Sequence, residues 1–269
     1  MTNQALTTLY GSDSLKESYH LLSYVLDEEK SYVLTHQDQF VSKEQILKLE
    51  KMIEKRNQHY PLAYLTEKVD FMAYEFHVEE GVLIPRADSE IMIEQLLTLE
   101  PKKQILDLCC GSGVLGITYA LYFHESNVIL SDISEKCIEV SEMNIDKHHL
   151  NDRVRTLKSD LFSAVPEVKF DLIMSNPPYI RTDEINTLME SVRDHEPLLA
   201  LDGGSDGLSF YREIIKKAKS HLNEKGILAL EIGINQKEDV FALLMQQGYK
   251  DILSFKDYNK IDRIIIAYY

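Results

Sequence analysis

The chain has no long hydrophobic run and few cysteines. No apolar stretch approaches the ~20 residues of a membrane-spanning helix, and the first ten residues lack a basic region followed by an apolar core. Three cysteines are too few to staple 269 residues, and the spacing of Cys109, Cys110 and Cys137 matches no zinc or CxxC pattern. We therefore expect a cytoplasmic protein with reduced thiols, no metal site and no membrane association.

Basic residues are scarce relative to acidic ones. Lys and Arg number 29 against 44 Asp and Glu, which gives a net charge of −15. Affinity for a phosphate backbone comes mainly from basic surface that displaces counterions, so direct nucleic-acid binding is disfavoured, although a local basic patch can coexist with an acidic total. Pro/Gly/Ser-rich and low-complexity tracts are also absent. The length suits one large α/β domain and a smaller one.

Residues 1–65 predict a small helical domain. One helix is indicated by apolar residues at three-and-four spacing from Leu15 to Leu26, with Ser12 or Asp13 as its cap. A second begins after Ser42, a good N-cap, and stops before Pro61.

Residues 66–84 contain several aromatic and β-branched residues, among them Phe71, Tyr74 and Phe76, and predict a β-hairpin that links two domains, with Glu79-Glu80-Gly81 as its turn. Residues 85–269 then alternate short apolar runs with longer amphipathic ones. This pattern predicts an α/β domain with a doubly wound, mostly parallel sheet. Its seven expected strands lie near residues 104–109, 128–132, 154–157, 170–175, 226–232, 252–255 and 261–268.

A glycine-rich turn follows the first of these strands. Its residues are Cys109, Cys110, Gly111, Ser112 and Gly113, and Asp107 stands at the end of the strand before them. Such turns let a ligand approach the backbone at the carboxyl edge of an open sheet, although the segment also fits an ordinary tight turn. A dinucleotide pattern starting at Gly111 matches literally but is weak, because Asp107 would be poorly placed beside a pyrophosphate. A carboxylate there better suits a cofactor with a positive amino group.

The next two strands also end in acids. Asp132 is placed to accept hydrogen bonds from both ribose hydroxyls of an adenosyl group. Asp160 could accept from the adenine amino group, with Leu161 packed on the ring. Each acid could instead cap the helix that follows it.

The most specific motif follows the fourth strand, where Asn176, Pro177, Pro178 and Tyr179 stand in succession. Two prolines fix φ and remove two donors, which leaves a rigid corner rich in acceptors. The Asn176 side-chain oxygen and the Pro177 carbonyl can each accept one N–H of a planar NH₂ group, while Tyr179 lies against that group. These bonds strengthen as positive charge develops on the nitrogen, so the motif indicates methylation of an amide or amino nitrogen.

Across essentially its whole length, the sequence resembles the release factor glutamine methyltransferases, a class I S-adenosylmethionine-dependent family. Besides the Asn-Pro-Pro-Tyr motif and the glycine-rich turn, the similar segments are 61–65, 81–86, 196–204, 206–211, 231–233 and 262–263. The Asn-Pro-Pro-Tyr motif alone is shared with adenine-amine methyltransferases; the other segments narrow the resemblance to protein glutamine.

The resemblance implies that S-adenosylmethionine is the cofactor and S-adenosylhomocysteine the product. It also implies that the substrate is the glutamine amide in the Gly-Gly-Gln tripeptide of bacterial peptide chain release factors, held partly by the N-terminal domain. Separately, we expect the enzyme to be a monomer. By the family pattern, residues 109–113, Asp132, Leu161 and Asn176 contact the cofactor, and Asn176 to Tyr179 bind the glutamine.

The sequence departs from the family at three places. Relatives usually carry Gly-Thr at Cys109-Cys110, Pro-Glu-Thr at Ala87-Asp88-Ser89, and in some cases Trp at Leu161. The first change affects the backbone freedom of the glycine-rich turn, and the second affects the stiffness of the loop after Arg86. The third affects the surface on which the adenine ring would stack.

Three alternatives remain open. A ribosomal-protein glutamine methyltransferase would share the fold and the chemistry and differ only in partner. An adenine-amine methyltransferase of DNA or RNA predicts a basic face, against the net charge of −15. An inactive adenosyl-binding scaffold would not require the Asn-Pro-Pro-Tyr motif.

Overall fold

The structure, a computed structural model, describes residues 15–269, with side chains from Glu17 onward. The predicted cap at Ser12 or Asp13 lies outside this range. The chain forms two compact units. One comprises the described residues up to Lys68 together with Glu190–His195, and the other comprises Val69–Met189 and Glu196–Tyr269. The sequence patterns did not predict that 190–195 would belong to the smaller unit.

The smaller unit is helical and has its own core. Its helices are α1 (Leu15–Leu26), α2 (Lys30–Thr35), α3 (Lys43–Asn57), α4 (Leu62–Thr66) and, from later in the chain, α8 (Glu190–Arg193). Buried apolar residues such as Leu22, Val33 and Leu49 pack together between α1, α2, α3 and α4. The predicted helix after Ser42 is confirmed. Ser42 and Gln45 form a reciprocal capping box, with hydrogen bonds of 2.9 and 3.2 Å between side chain and backbone N–H.

The β-hairpin is shorter than predicted, and its turn lies elsewhere. Strands β1 (Lys68–Phe71) and β2 (Tyr74–His77) are joined at Met72, whose φ is 53°. The predicted turn at Glu79-Glu80-Gly81 exists but follows β2 instead of closing the hairpin, so the assignment of 82–84 to a strand was wrong. Periodicity cannot locate such a turn, because aromatic and β-branched residues run on both sides of it.

The larger unit contains a seven-stranded sheet, as predicted. Its strands are β3 (Gln104–Leu108), β4 (Asn127–Asp132), β5 (Val154–Lys158), β6 (Phe170–Ser175), β7 (Leu222–Glu231), β8 (Lys250–Lys256) and β9 (Asp262–Tyr268). Their order is β5-β4-β3-β6-β7-β9-β8; β9 pairs antiparallel with both β7 and β8, and the other pairs are parallel. The prediction of a mostly parallel sheet is confirmed.

Helices cover both faces of this sheet. They are α5 (Glu90–Leu97), α6 (Val114–Tyr122), α7 (Glu135–Lys147), α9 (Ser209–His221) and α10 (Lys237–Gln246). Because side chains alternate along a strand, Leu172 and Met174 of β6 pack with α5 and α6, whereas Ile173 packs with α9 and α10. Because β3 to β7 run parallel, their carboxyl ends lie at one edge of the sheet, where the loops that follow them meet. Within residues 15–269, no helix combines the length and apolarity needed to cross a bilayer.

The turn after β3 carries backbone strain. Cys109 has a φ of 57°, in the left-handed region where a Cβ crowds the following carbonyl. The family resemblance places a glycine at this position. The structure therefore gives a physical reason for that glycine, and a cost for the cysteine that replaces it here.

Replacing Ser42 with Ala removes one half of the capping box and exposes an unpaired helix N–H. We expect a loss of about 1 kcal/mol in the free energy of unfolding of the helical unit. Urea denaturation followed by circular dichroism measures this, with exposed Ser31→Ala as control. Equal stability of the two variants would contradict the role of the cap.

Replacing Cys109 with Gly should raise the free energy of unfolding by about 1 kcal/mol or less, since relief of the left-handed strain exceeds the added chain entropy. Cys109→Ala is the matched control, because it removes the thiol but keeps the Cβ. Thermal denaturation of both variants tests this. Equal gains in the two variants would point to the thiol rather than to the backbone.

Candidate active site

The glycine-rich turn lies at the carboxyl edge of the sheet, between β3 and α6. Gly113, the N-cap of α6, has a φ of 81°, and a Cβ on it would lie 2.9 Å from a Leu130 methyl group. Only glycine fits there without movement of the core. Gly111, in contrast, has open space where its Cβ would stand, with no atom within 4 Å. The backbone at Gly111 is therefore open to a ligand.

Asp132, at the end of β4, holds this turn. Its Oδ2 accepts a hydrogen bond from the Gly111 N–H at 3.0 Å, and its Oδ1 accepts one from the Ser134 N–H at 2.9 Å. Burial raises the pKa of this carboxyl, while the two N–H groups oppose the shift. Ser134 itself caps α7 by accepting from the Cys137 N–H. Ser134, and not Asp132 as in the predicted alternative, therefore caps α7.

Leu161 follows β5 in a strained conformation with a φ of 47°. Ser159 stabilises it by donating to the Leu161 carbonyl at 2.8 Å and accepting from the Ala164 N–H at 2.9 Å. Non-glycine residues in this region persist only where the surroundings over-determine them. The hydrogen bonds of Ser159 thus fix the position of Leu161, while the neighbouring Asp160 is exposed.

A cavity of about 250 Å³ lies where these loops meet. Nine of the predicted site residues line it: Cys109, Cys110, Gly111, Ser112, Asp132, Asp160, Leu161, Asn176 and Pro178. Four others, namely Asp107, Gly113, Pro177 and Tyr179, are not among the lining residues. The cavity thus brings the glycine-rich turn, the ends of β4 and β5, and the Asn-Pro-Pro-Tyr segment to one place.

Asp107 supports the turn. It is fully buried, and its Oδ2 accepts from the Gly116 N–H at 2.9 Å in the first turn of α6. Its Oδ1 is buried without a hydrogen-bond partner among the described residues, and burial raises its pKa to about 8. The structure explains Asp107 as an anchor for the start of α6. Its predicted contact with a cofactor stays a prediction.

The Asn-Pro-Pro-Tyr segment begins where β6 ends, beside β3. Ser175, the last residue of β6, donates to the Leu108 carbonyl at 2.7 Å. Asn176 follows at the cavity wall, and its Nδ2 donates to Ser89 Oγ at 3.3 Å. Pro177 and Pro178 are both buried, so the corner is packed as well as conformationally restricted.

Residues from two later segments, 203–207 and 233–236, pack on the backbone of Tyr179. The Gln236 side chain donates to the Tyr179 carbonyl at 2.9 Å and accepts from the Gly233 N–H at 2.8 Å. A Cβ on Gly203 would lie 2.7 Å from Tyr179 Cα, and one on Gly207 would lie 2.5 Å from the Tyr179 carbonyl oxygen. Segments 203–207 and 233–236 therefore need glycine so that the chain can approach the motif closely.

Glu231, the last residue of β7, lies behind the motif and is 1% exposed. Its Oε2 accepts from Ser89 Oγ at 2.5 Å, and its Oε1 accepts from the Tyr179 hydroxyl at 3.4 Å. Burial raises its pKa to about 7, and the hydrogen bond from Ser89 and the charge of Arg263 oppose the rise.

A second buried glutamate supports the cavity from another side. Glu196 accepts from the Ile84 N–H at 3.1 Å and from Arg86 Nη2 at 2.5 Å, and its side chain is 2% exposed. Arg86 in turn lines the cavity. The buried Glu196 carboxylate, through this ion pair, fixes the position of the Arg86 guanidinium at the cavity wall.

Sequence reasoning assigned no site role to Ser89, Glu231, Gln236, Arg86 or Glu196. One signal was available for Glu231. Like Asp107 and Asp132, it is an acid at the carboxyl end of an apolar strand. Nothing in the sequence alone indicated that Ser89 or Gln236 would contact the motif.

Comparison with known proteins identifies the family. The model "Methyltransferase small domain" matches residues 85–205, and the model "PrmC N-terminal domain" matches residues 2–66. Among solved structures, a methyltransferase from Pyrococcus furiosus aligns over 72% of this chain and 87% of its own, with a TM-score of 0.55 and 20% identity. The T. thermophilus 16S rRNA N2 G1207 methyltransferase, solved with AdoMet and guanosine, aligns over 75% and 49%, with a TM-score of 0.54 and 18% identity. These likenesses establish a class I methyltransferase fold.

Similar curated sequences identify the family within the class I methyltransferases. The release factor glutamine methyltransferase of Clostridium botulinum is 44% identical over 92% of this chain and 89% of its own length. That of Clostridium acetobutylicum is 40% identical over 94% and 90%. A ribosomal protein uL3 glutamine methyltransferase of Francisella tularensis is also 40% identical, but over 65% of this chain and 57% of its own. Agreement at this level over nearly the full length places the chain in the release factor glutamine methyltransferase family.

Proposed function

We propose that this enzyme methylates the side-chain amide nitrogen of the glutamine in the Gly-Gly-Gln tripeptide of bacterial release factors, with S-adenosylmethionine as methyl donor. The main support is the position of Asn176. Its amide lies at the wall of the cavity that the glycine-rich turn also lines. An acceptor for a planar NH₂ group and a site for an adenosyl cofactor thus adjoin each other.

The cavity fits the cofactor. Gly111 leaves open space where any other side chain would project, and Ser112 Oγ is buried with no partner in the described residues. Asp132 and Asp160 line the same cavity and can accept from ribose hydroxyls and from the adenine amino group. We assign residues 109–113, Asp132, Asp160 and Leu161 to cofactor binding, with Gly113 and Asp107 acting through the backbone of the turn.

The reaction would depend on positioning. When bound, the cofactor supplies an electrophilic methyl group on a sulfonium. Asn176 Oδ1 and the Pro177 carbonyl each accept one N–H of the glutamine amide, and Tyr179, beside Pro178, packs against the amide plane. As the N–C bond forms and the C–S bond breaks, these acceptors stabilise the charge that develops on nitrogen. One amide proton then leaves to solvent, so the chemistry requires no strong base.

The release factor is favoured over ribosomal protein as the substrate. The N-terminal family model covers residues 2–66, and the uL3 relative aligns over a smaller share of this chain than the release factor relatives do. The net charge of −15 disfavours a nucleic-acid substrate. We further propose that the enzyme is cytoplasmic and monomeric and that its partner is a protein.

Purified enzyme with labelled S-adenosylmethionine should add one methyl group to the tripeptide glutamine of a release factor. Parallel reactions contain ribosomal protein uL3, an adenine-containing DNA duplex, or a release factor whose tripeptide glutamine is replaced by alanine. Mass spectrometry locates the methyl group. Transfer to uL3 or DNA without transfer to the release factor would refute the proposed substrate.

Asn176→Ala should lower kcat by at least about 100-fold, because it removes one acceptor of the substrate amide. We expect the Kd for S-adenosylhomocysteine to change by less than about tenfold, since the turn and Asp132 remain. Exposed Asn151→Ala is the control and should match the wild type. Retention of full activity by Asn176→Ala would exclude the proposed role.

A further inference from the structure

Ser89 and Glu231 lie next to the Asn-Pro-Pro-Tyr motif and have no part in the mechanism above. They form a chain of hydrogen bonds that runs from Asn176 Nδ2 through Ser89 Oγ to Glu231 Oε2, with distances of 3.3 and 2.5 Å. The other oxygen of Glu231 accepts from the Tyr179 hydroxyl at 3.4 Å. One buried carboxylate is thereby connected to both polar side chains of the motif.

The direction of these bonds determines which atom of the Asn176 amide faces the substrate. An ionised carboxylate can only accept, so the single proton of Ser89 points to Glu231. Ser89 Oγ must then accept from Asn176, and only the NH₂ end of that amide can donate. Asn176 Oδ1 accepts no hydrogen bond within residues 15–269 and remains available as an acceptor.

We propose that Ser89 and Glu231 are positioning residues that orient the Asn176 amide, and that they do so only while Glu231 is ionised. This inference rests on the proposed function, because it concerns how Asn176 meets the glutamine NH₂ group. Neither residue touches the reacting atoms.

Protonation would reverse the chain of hydrogen bonds. A neutral carboxyl can donate to Ser89 Oγ, and Ser89 would then donate to Asn176. The amide would rotate so that Oδ1 accepts from Ser89 and Nδ2 faces the substrate. The NH₂ groups of Asn176 and glutamine would then face each other, and the acceptor would be lost.

The groups around Glu231 place this change near neutral pH. Burial and the charge of Asp88 raise its pKa, whereas Arg263 on β9 and the hydroxyls of Ser89 and Tyr179 lower it, with a result of about 7. Tyr211, on α9, donates to the Glu231 backbone carbonyl at 2.9 Å. Arg263 is shared with Asp257 at 3.1 Å and Asp88 at 3.6 Å. Since only the ionised form orients Asn176, activity is present above this pKa and lost as the pH falls through it.

The first test is the pH dependence of kcat with a full-length release factor from pH 5.5 to 8.5. We expect kcat to fall about tenfold for each pH unit below about 7. Calorimetric Kd values for S-adenosylhomocysteine should stay within about threefold, because residues 109–113, Asp132, Asp160 and Leu161, which we assign to cofactor binding, lie outside this hydrogen-bond chain. A kcat that is level across this range would overturn the inference.

The variant Glu231→Gln tests whether Glu231 causes the fall of kcat below about pH 7, which we call the acidic limb. The amide that this change introduces cannot titrate and can present either a donor or an acceptor to Ser89, so we expect kcat at pH 8 to fall at least about tenfold and the acidic limb to disappear. Glu224→Gln, an exposed change on the same strand, should keep both the rate and the limb. An unchanged limb in Glu231→Gln would assign it to another group and refute the proposal.

Ser89→Ala breaks the chain but leaves Glu231 in place. Its loss of kcat should match that of Glu231→Gln, and the double variant should be no worse than either single variant. Losses that multiply would indicate independent structural effects and contradict the proposal. If Glu231→Gln does not fold, as judged by thermal denaturation, Ser89→Ala and the wild-type profile still test it. Absence of release factor methylation by the wild type at any pH would instead refute the proposed function.

Discussion

Three strands of the sheet end in a carboxylate that is largely or wholly buried, and each must find hydrogen-bond donors there because an unpaired buried charge is costly. Asp107 takes the N–H of Gly116 and Asp132 takes those of Gly111 and Ser134, while Glu231 takes the hydroxyls of Ser89 and Tyr179. The donors lie in the first turn of α6 and in the segments that follow the strands or precede α5, all of which surround the cavity. The need to satisfy these acids therefore shapes both the glycine-rich turn and the Asn-Pro-Pro-Tyr corner.

The same burial makes the site responsive to charge. Burial raises the pKa of Asp107 to about 8 and that of Glu231 to about 7, well above the values of exposed carboxyl groups. Both acids lie behind the residues that line the cavity, so their charge reaches the site through the turn and the motif that they hold.

Much of this organisation could be predicted because it depends on local patterns. The alternation of short apolar runs with longer amphipathic ones indicated the parallel sheet, and the cap at Ser42 marked a helix start that the structure confirms. The hairpin turn was misplaced because aromatic and β-branched residues continue on both sides of Met72. Ser89 and Gln236 escaped notice because a serine before a helix and a glutamine within a polar segment have no distinctive spacing.

The sequence by itself predicted the chemistry, since Asn-Pro-Pro-Tyr after a strand is typical of methylation at a planar nitrogen, and the alternation of strands and helices predicted the sheet. Only the tertiary structure decided which distant groups support that motif. Ser89 and Glu231 are 142 residues apart in the chain, and Gln236 is 57 residues from Tyr179, yet hydrogen bonds join each pair. Contacts of this range arise when strands pack side by side, and no local pattern of residues records them.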